Sequence, residues 1–256
     1  ATALFGSQAV GGVIVINTRK KSSRGGVGIE VNSGFTIDRV YVLPQYQNEY
    51  AGGSLSDLKQ FQWKAGMPDE WQALNGKYFH DYTDDASWGP RMVGQEYIPW
   101  YAWYPGHERS YQTAKLTPQP DNSRDFFETG LTTNNNVSFG KSGQGWNFRA
   151  SYTNQNIKGV IPNASSKRNT FFMTTSIDLN SHFTVAANVN YSGQVLKGEF
   201  IDGYANSSSG NFNQWFHRNL DMDIIKSLRN VRSPYGTLGT WNLRFNPDGY
   251  NPGAPQ

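Results

Sequence analysis

Val27-Gly28-Ile29-Glu30-Val31-Asn32-Ser33-Gly34-Phe35-Thr36-Ile37-Asp38 is the stretch that decides the fold. Val27, Ile29, Val31, Phe35 and Ile37 share one parity, and Glu30, Asn32, Thr36 and Asp38 fill the other. Successive side chains of an extended chain point to opposite faces, so this segment is a strand with one greasy and one wet side. Two settings ask for such a strand. One is the wall of a transmembrane β-barrel, between lipid and a watery lumen. The other is a soluble antiparallel sandwich. The alternation alone fits both.

Four more stretches repeat the pattern. The second strand is expected at about Phe127 to Phe139, with Leu131, Val137 and Phe139 on one parity. The third carries Trp146, Phe148, Ala150 and Tyr152 opposite Asn147, Arg149, Ser151 and Thr153. The fourth sets Phe171, Met173, Thr175, Ile177 and Leu179 on one face, and the fifth Phe183, Val185, Ala187, Val189 and Tyr191. Between them the connections alternate in length. A long one spans about 41–123, and Lys141 to Gly145 makes a tight hairpin. A medium loop covers Gln155 to Arg168, Asn180-Ser181 turns directly, and a second long connection runs from Gly193 onward. Short turns on one side and large loops on the other are the habit of outer-membrane barrels. Short helices are expected at Leu55 to Trp63, Asp69 to Leu74 and Gln214 to Leu228.

Composition narrows the field. The 256 residues are 37% hydrophobic, with a mean hydropathy of −0.64. No run of about eighteen apolar residues exists, which rules out a transmembrane helix but not a barrel, where only alternate residues need be apolar. Eight Trp, 14 Tyr and 15 Phe suit strands and interfacial girdles. With no cysteine there is neither a disulfide framework nor a thiolate metal site. A net charge of +3 falls short of a nucleic-acid-binding stripe, and Arg19, Lys20, Lys21 and Arg24 read as a solvated linker. The opening Ala1-Thr2-Ala3 and the Pro/Gly/Asn-rich end read as those of a fragment or processed piece.

Ahead of the first strand, a short helix or turn leads through Gly11-Gly12 into an apolar run, Val13-Ile14-Val15-Ile16, expected to be a strand covered on both faces. The whole segment from Ala3 through Gly6-Ser7-Gln8-Ala9-Val10-Gly11-Gly12 to Asn17-Thr18-Arg19-Lys20 resembles the end of the plug domain in TonB-dependent outer-membrane transporters. Gln8 stands where that family usually has Arg, and Val10-Gly11 departs from its common Ala-Asn pair. The SusC/RagA branch is the nearest resemblance. Segments similar to its members are Pro44 to Tyr50, Ser87-Trp88-Gly89-Pro90-Arg91-Met92, Asp125 to Gly130, and Ser151 to Asn163. No single match is specific; their order is. The resemblance implies an all-β fold: an antiparallel transmembrane barrel of about twenty-two strands around an internal plug. Residues 1–24 would close the plug and form its linker. Residues 25–256 would carry about the first five barrel strands, with long extracellular loops at about 41–123 and 193–256.

Other chemistry is sparse. Gly140-Lys141-Ser142 imitates the tail of a phosphate-binding loop, but Asn135 stands where glycine is required and strands flank it, so a hairpin turn is the better reading. His80-Asp81 with Asp84-Asp85 could offer oxygen ligands to a divalent ion, yet without glycine-punctuated spacing solvated carboxylates account for them. Asp221-Met222-Asp223 reads as charge at a helix start rather than a metal site. His107, His182 and His217 lack the neighbours of a catalytic triad. The expectation is therefore no enzyme, no cofactor and no metal. The candidate binding residues are Trp88, Tyr97, Trp100, Tyr101, Trp103 and Tyr104, whose rings could form platforms for sugar or peptide faces. Packing of the loop itself, or an interfacial girdle, would use the same rings.

The resemblance further implies location in the bacterial outer membrane and active import of oligosaccharide or oligopeptide. A SusD-like lipoprotein lid would capture the cargo, and the TonB complex, reached through segments N-terminal to these, would supply energy. Outer-membrane lipid is an implied partner, and nucleic acid is not. A siderophore receptor of the same barrel class, a soluble carbohydrate-binding β-sandwich and a glycan-degrading enzyme are the alternatives.

Overall fold

The computed structural model describes Gly6, Ile14 and residues 27–82, 84–198, 211–212, 215–233 and 236–242. The expected plug strand at 13–16, the helix or turn before it and the basic linker at 19–24 thus lie outside the described residues, Gly6 and Ile14 apart. The described chain is mostly antiparallel β-sheet with few helices, and none of those helices is long and apolar enough to cross a membrane. It divides into two bodies. One consists of strands, from segments 27–37, 131–158 and 165–197; the other collects 38–130, 159–164 and the described residues after 198.

The strand body is one five-stranded sheet. Its members are β1 (Gly28–Asp38), β6 (Gly130–Gly143), β7 (Trp146–Lys158), β8 (Ser165–Asp178) and β9 (Thr184–Lys197), hydrogen-bonded in that order. β6 to β9 form consecutive antiparallel hairpins. The first turns at Gln144-Gly145, where Gly145 takes a φ of 71° that few other residues adopt cheaply. The β8–β9 turn is held by Asn180, whose Oδ1 accepts from the backbone N–H of His182 and Phe183 at 2.9 and 3.0 Å.

Several expected strand boundaries are corrected. The loop at Gln155 to Arg168 is largely strand: β7 continues to Lys158 and β8 begins at Ser165, leaving 159–164 as the connection. The alternation fades there because Asn154, Asn156 and Asn169 occupy the parity that is apolar elsewhere; Asn154 donates to Asn169 across the rung and Asn156 to Asn154 along β7, each at 2.7 Å. Likewise β6 begins at Gly130 and runs past the expected Phe139 to Gly143, and β9 extends to Lys197.

Register puts most of the greasy residues of β6 to β9 on one face. Val137, Tyr152, Phe171 and Tyr191 form one row across β6 to β9; Phe139, Ala150, Met173 and Val189 form the next. Opposite them lie rows such as Gly140, Arg149, Thr174 and Asn188. β1 follows the same division. Ser33 Oγ donates to Asn135 Oδ1 at 2.6 Å on the first face, and Glu30 approaches Arg149 at 4.0 Å on the second.

The loop body carries short paired strands, β2 (Lys59–Gln60) with β3 (Tyr78–Phe79) and β4 (Glu96–Tyr97) with β5 (Ala114–Lys115). Its helices are α1 (Asn122–Phe126) and α2 (Met222–Ser227). The expected helix at Leu55 to Trp63 is not formed. Lys59 and Gln60 pair with Phe79 and Tyr78 instead, which drives Phe61 fully into the core. Asp69–Leu74 is helical as expected, in 3-10 form, and buries Trp71 and Leu74 three residues apart on one side. Among the described residues of the stretch expected to be helical from Gln214, which itself lies outside them, the helix that forms is α2. Asp221 caps α2 by accepting from the N–H of Asp223 and Ile224 at 2.9 and 3.1 Å.

Candidate functional site

The two faces of the sheet invert the burial usual for a soluble protein. The inversion holds across the inner strands β6 to β8: on the greasy face Phe171 and Ile177 are 38% and 51% exposed, whereas on the wet face Ser138, Asn147 and Thr174 are 4%, 5% and 8% exposed, and in the edge strands β1 and β9 both faces are open. The wet side chains cover one another through hydrogen bonds: Asn147 to Ser176, Asn136 Nδ2 to Thr153 Oγ1 at 2.8 Å, Thr174 Oγ1 to Asn188 Oδ1 at 2.5 Å, and Arg168 Nε to Ser192 Oγ at 3.2 Å. Neutral amides and hydroxyls predominate, with Arg149 and Arg168 as cations among them.

The greasy face also has margins. Aromatic Tyr152, Phe171 and Tyr191 form the row just before the polar one of Asn135, Asn154 and Asn169; Trp146 and Phe183 stand at the turn end. From Phe183 to Tyr191, at about 3.4 Å per residue, is about 27 Å along the strand. A tilt of about 40° leaves about 20 Å, near the roughly 25 Å band of membrane barrels. Lys141 lies on this face close to the turn, a position from which its long stem reaches the interface.

In the loop body the six expected binding residues separate by burial. Tyr97, Trp100, Trp103 and Tyr104 are buried, Tyr101 is half-buried, and Trp88 alone is open, at 65% exposure. Trp103 meets Trp71 at 5.0 Å and Phe61 at 4.9 Å, both edge to face, and Trp71 Nε1 donates to the Trp103 carbonyl at 3.1 Å. Trp100 packs against Tyr101 and Tyr104. These rings hold the body together, which leaves Trp88 and the open side of Tyr101 as the accessible members of the set. Burial pushes the Tyr97 and Tyr82 phenols up, and both remain neutral.

A cavity of about 530 Å³ opens elsewhere in the same body, lined by Phe126, Phe212, Trp215, Phe216 and Trp241 with Asp85 at its polar side. Its volume suits a small organic ligand. Trp215 is 47% exposed, so its ring is available. The sequence reading singled out none of these rings. Their signal was present in the aromatic density of 212–216, but nothing local joins that stretch to Phe126 or Trp241.

Two polar clusters position this body. Arg218, 3% exposed, donates to the Gln47 and Pro120 carbonyls at 3.2 and 3.0 Å, to Asn122 Oδ1, and to Asn48 Oδ1 at 3.3 Å; its guanidinium lies 4.6 Å over the Tyr46 ring. Beside it, Asn219 accepts from Gly52 N–H at 2.9 Å and donates toward His80 Nε2 and Tyr97 Oη. His217 Nε2 lies 2.7 Å from the Asp84 carbonyl. Gly52 is required here, since a Cβ would fall 2.0 Å from His217 Nδ1. Among the described residues no group of three or more His, Cys, Asp or Glu side chains is placed to hold a metal ion, and His80, Asp81, Asp84 and Asp85 form none.

No protein-family model matches the chain, and no curated protein is significantly similar to it.

Proposed function

We propose that this chain forms part of a β-barrel spanning the bacterial outer membrane, where it serves the active import of oligosaccharides or oligopeptides. The observation that carries the reading is the inverted sheet: large apolar side chains stand open on one face while small polar ones are covered on the other. Water on both sides would make the exposed side chains of Phe171, Tyr191 and Val185 an aggregation liability, whereas hydrocarbon makes their face the stable arrangement. β1 and β9 leave two long sheet edges that further barrel strands would pair. By strand polarity, the connections 38–130 and 159–164 and the segment leaving β9 all meet strand ends of the same sense, whereas the opposite ends are joined only by the turns at 144–145 and 179–183. That asymmetry supports a capture end and a turn end.

In this reading the SusC/RagA-like plug would fill the lumen against Glu30, Asn32, Thr36 and the amides of β6 to β9. A SusD-like lid would hand cargo to the loop body, and TonB-derived energy would move the plug. The protein binds and gates; it breaks no bond. Open aromatic rings at Trp88 and around the cavity are suited to the apolar faces of sugars or peptide side chains.

The absence of cysteine makes the test clean. Single substitutions Val185→Cys and Val189→Cys are expected to react only with a membrane-permeant apolar maleimide in intact outer membranes. Asn188→Cys and Asn190→Cys should react with a charged, water-soluble reagent. Equal labelling of neighbouring positions by the charged reagent, in a protein that purifies without detergent, would instead establish a soluble sheet.

A second expectation concerns cargo. Trp88→Ala and Trp215→Ala should each change stability by no more than about 0.5 kcal/mol, as open surface positions do. Each should weaken cargo binding by about five- to tenfold, equivalent to about 1 kcal/mol of ring contact. Unchanged affinity in the double variant, measured by calorimetry, removes both rings from the site.

A further inference from the structure

We propose that His80 and His217 form an acid-sensitive latch in the loop body, locked while both imidazoles are neutral and released when they take up protons. The latch stands on the geometry of this body alone and is independent of the transport reading. The two rings are fully buried, with centroids 5.3 Å apart. Each has its protons assigned by its partners. His80 Nδ1 faces the Asp81 carbonyl at 3.2 Å, so it carries the hydrogen, and Nε2 accepts from the Asn219 amide at 3.3 Å. His217 Nε2 donates to the Asp84 carbonyl, leaving Nδ1 as a buried acceptor pressed against Gly52 with no hydrogen-bond partner.

A second proton therefore has no acceptor at either ring. On His80 it would point at the Asn219 amide, which is itself a donor and whose oxygen is committed to Gly52 N–H. On His217 it would point at the Gly52 backbone. Two imidazolium ions 5.3 Å apart would also repel each other in a water-poor interior. Segments 51–53, 80–82 with Asp84, and 217–219 come together around these groups and the Asn219 amide, so protonation pushes them apart.

Other charged and titratable groups surround the pair. Asp81 and Asp84 favour the charged form of His217, but Asp84 Oδ1 is occupied by Ala86 N–H at 2.8 Å. Tyr82 and Tyr97 touch His80 and stay neutral. Arg218 directs its charge to Gln47, Asn122 and Pro120, and Asp221 caps α2. Burial outweighs the carboxylates, lowering His80 to about 3, assisted by His217, and His217 to about 4. Both folded values lie below the unfolded value of about 6.5. The stabilisation is therefore complete above about pH 6.5 and is lost as pH falls toward 4.

The test is protease susceptibility of the loop body in the intact full-length protein between pH 7.5 and 4, alongside histidine ring nitrogen shifts of the native protein. Between about pH 6 and 4 the opening equilibrium should rise about 100-fold per pH unit, two protons being taken up per opening. His217→Gln, which keeps a donor for the Asp84 carbonyl, should reduce the slope to about tenfold per unit. An unchanged slope and midpoint in that variant would overturn the latch, leaving carboxylates as the cause. Ring shifts need no variant: they should show Nδ1–H on His80 and Nε2–H on His217 down to about pH 5. Titration of either ring near pH 6.5 in the folded protein would equally overturn it.

Discussion

Replacing Arg218 with methionine is expected to unfold the loop body or bring it to the edge of unfolding, a loss of about 3–5 kcal/mol. The size follows from what is left behind. Methionine retains much of the aliphatic volume, so the cavity is small. The Gln47 and Pro120 carbonyls and the side-chain oxygens of Asn122 and Asn48, however, would lose their donor in a site only 3% exposed at Arg218. Each stranded acceptor costs about 1–3 kcal/mol, and water recovers part of that where Asn48 and Gln47 near the surface. Arg218 has only neutral acceptors within hydrogen-bond reach, so the loss is of a fork of donors rather than of an ion pair. Lysine restores the charge without the fork, so Arg218→Lys should recover less than half. Chemical denaturation followed by tryptophan fluorescence reads the effect. A midpoint for Arg218→Met equal to that of the unaltered protein would show that these contacts do not hold segments 46–48 and 119–123 to 217–219.

Arg218 illustrates what the sequence could not announce. Its acceptors lie about a hundred or more positions away, and no spacing rule connects Gln47 or Asn122 to it. The alternating strands, by contrast, were legible because the face of a strand residue follows from counting by two. The sides of Val31, Phe171, Ile177, Val185 and Tyr191 came out as read, and β1 found its place from Glu30 and Ser33. Counting failed where both parities turned polar, as in 154–158 and 165–169, because hydrogen bonds between neighbouring amides replaced the apolar signal. Phe172 and Leu196 are further exceptions, apolar side chains on the wet face paired with Asn190 and Ser166. For the aromatic candidates, density marked the right region but not the roles. Trp88 and Trp103 look alike in sequence, yet one is open and the other sits under Trp71 and Phe61. Which ring is covered is settled by partners distant in the chain, and so is the cavity that joins Phe126 to Trp241.

Ala187→Arg is expected to cost about 2–4 kcal/mol of barrel stability, the penalty for a guanidinium on a lipid-facing strand near mid-membrane, while Ala186→Arg, one residue away, should be nearly neutral. Ala187 lies midway between Phe183 and Tyr191 on the greasy face of β9, in the row with Phe148 and Thr175; Ala186 lies on the other face beside Ser176. A charge on a greasy face is costly in a soluble sandwich as well, so the arginine pair alone does not separate the settings. Phe171→Ala does. Inside a packed protein core, removing a phenylalanine side chain leaves a cavity and costs about 3–5 kcal/mol. Against lipid no cavity persists, because acyl chains close over the gap, and only the transfer cost of about 1–2 kcal/mol remains. The expected signature is therefore a large loss for Ala187→Arg, a small one for Phe171→Ala and almost none for Ala186→Arg. It is measured as the fraction of protein assembled in the membrane and as the urea midpoint in detergent or vesicles. If Phe171→Ala instead loses as much as Ala187→Arg, the ring is packed against protein, and the face read as meeting hydrocarbon is the inner wall of a folded core.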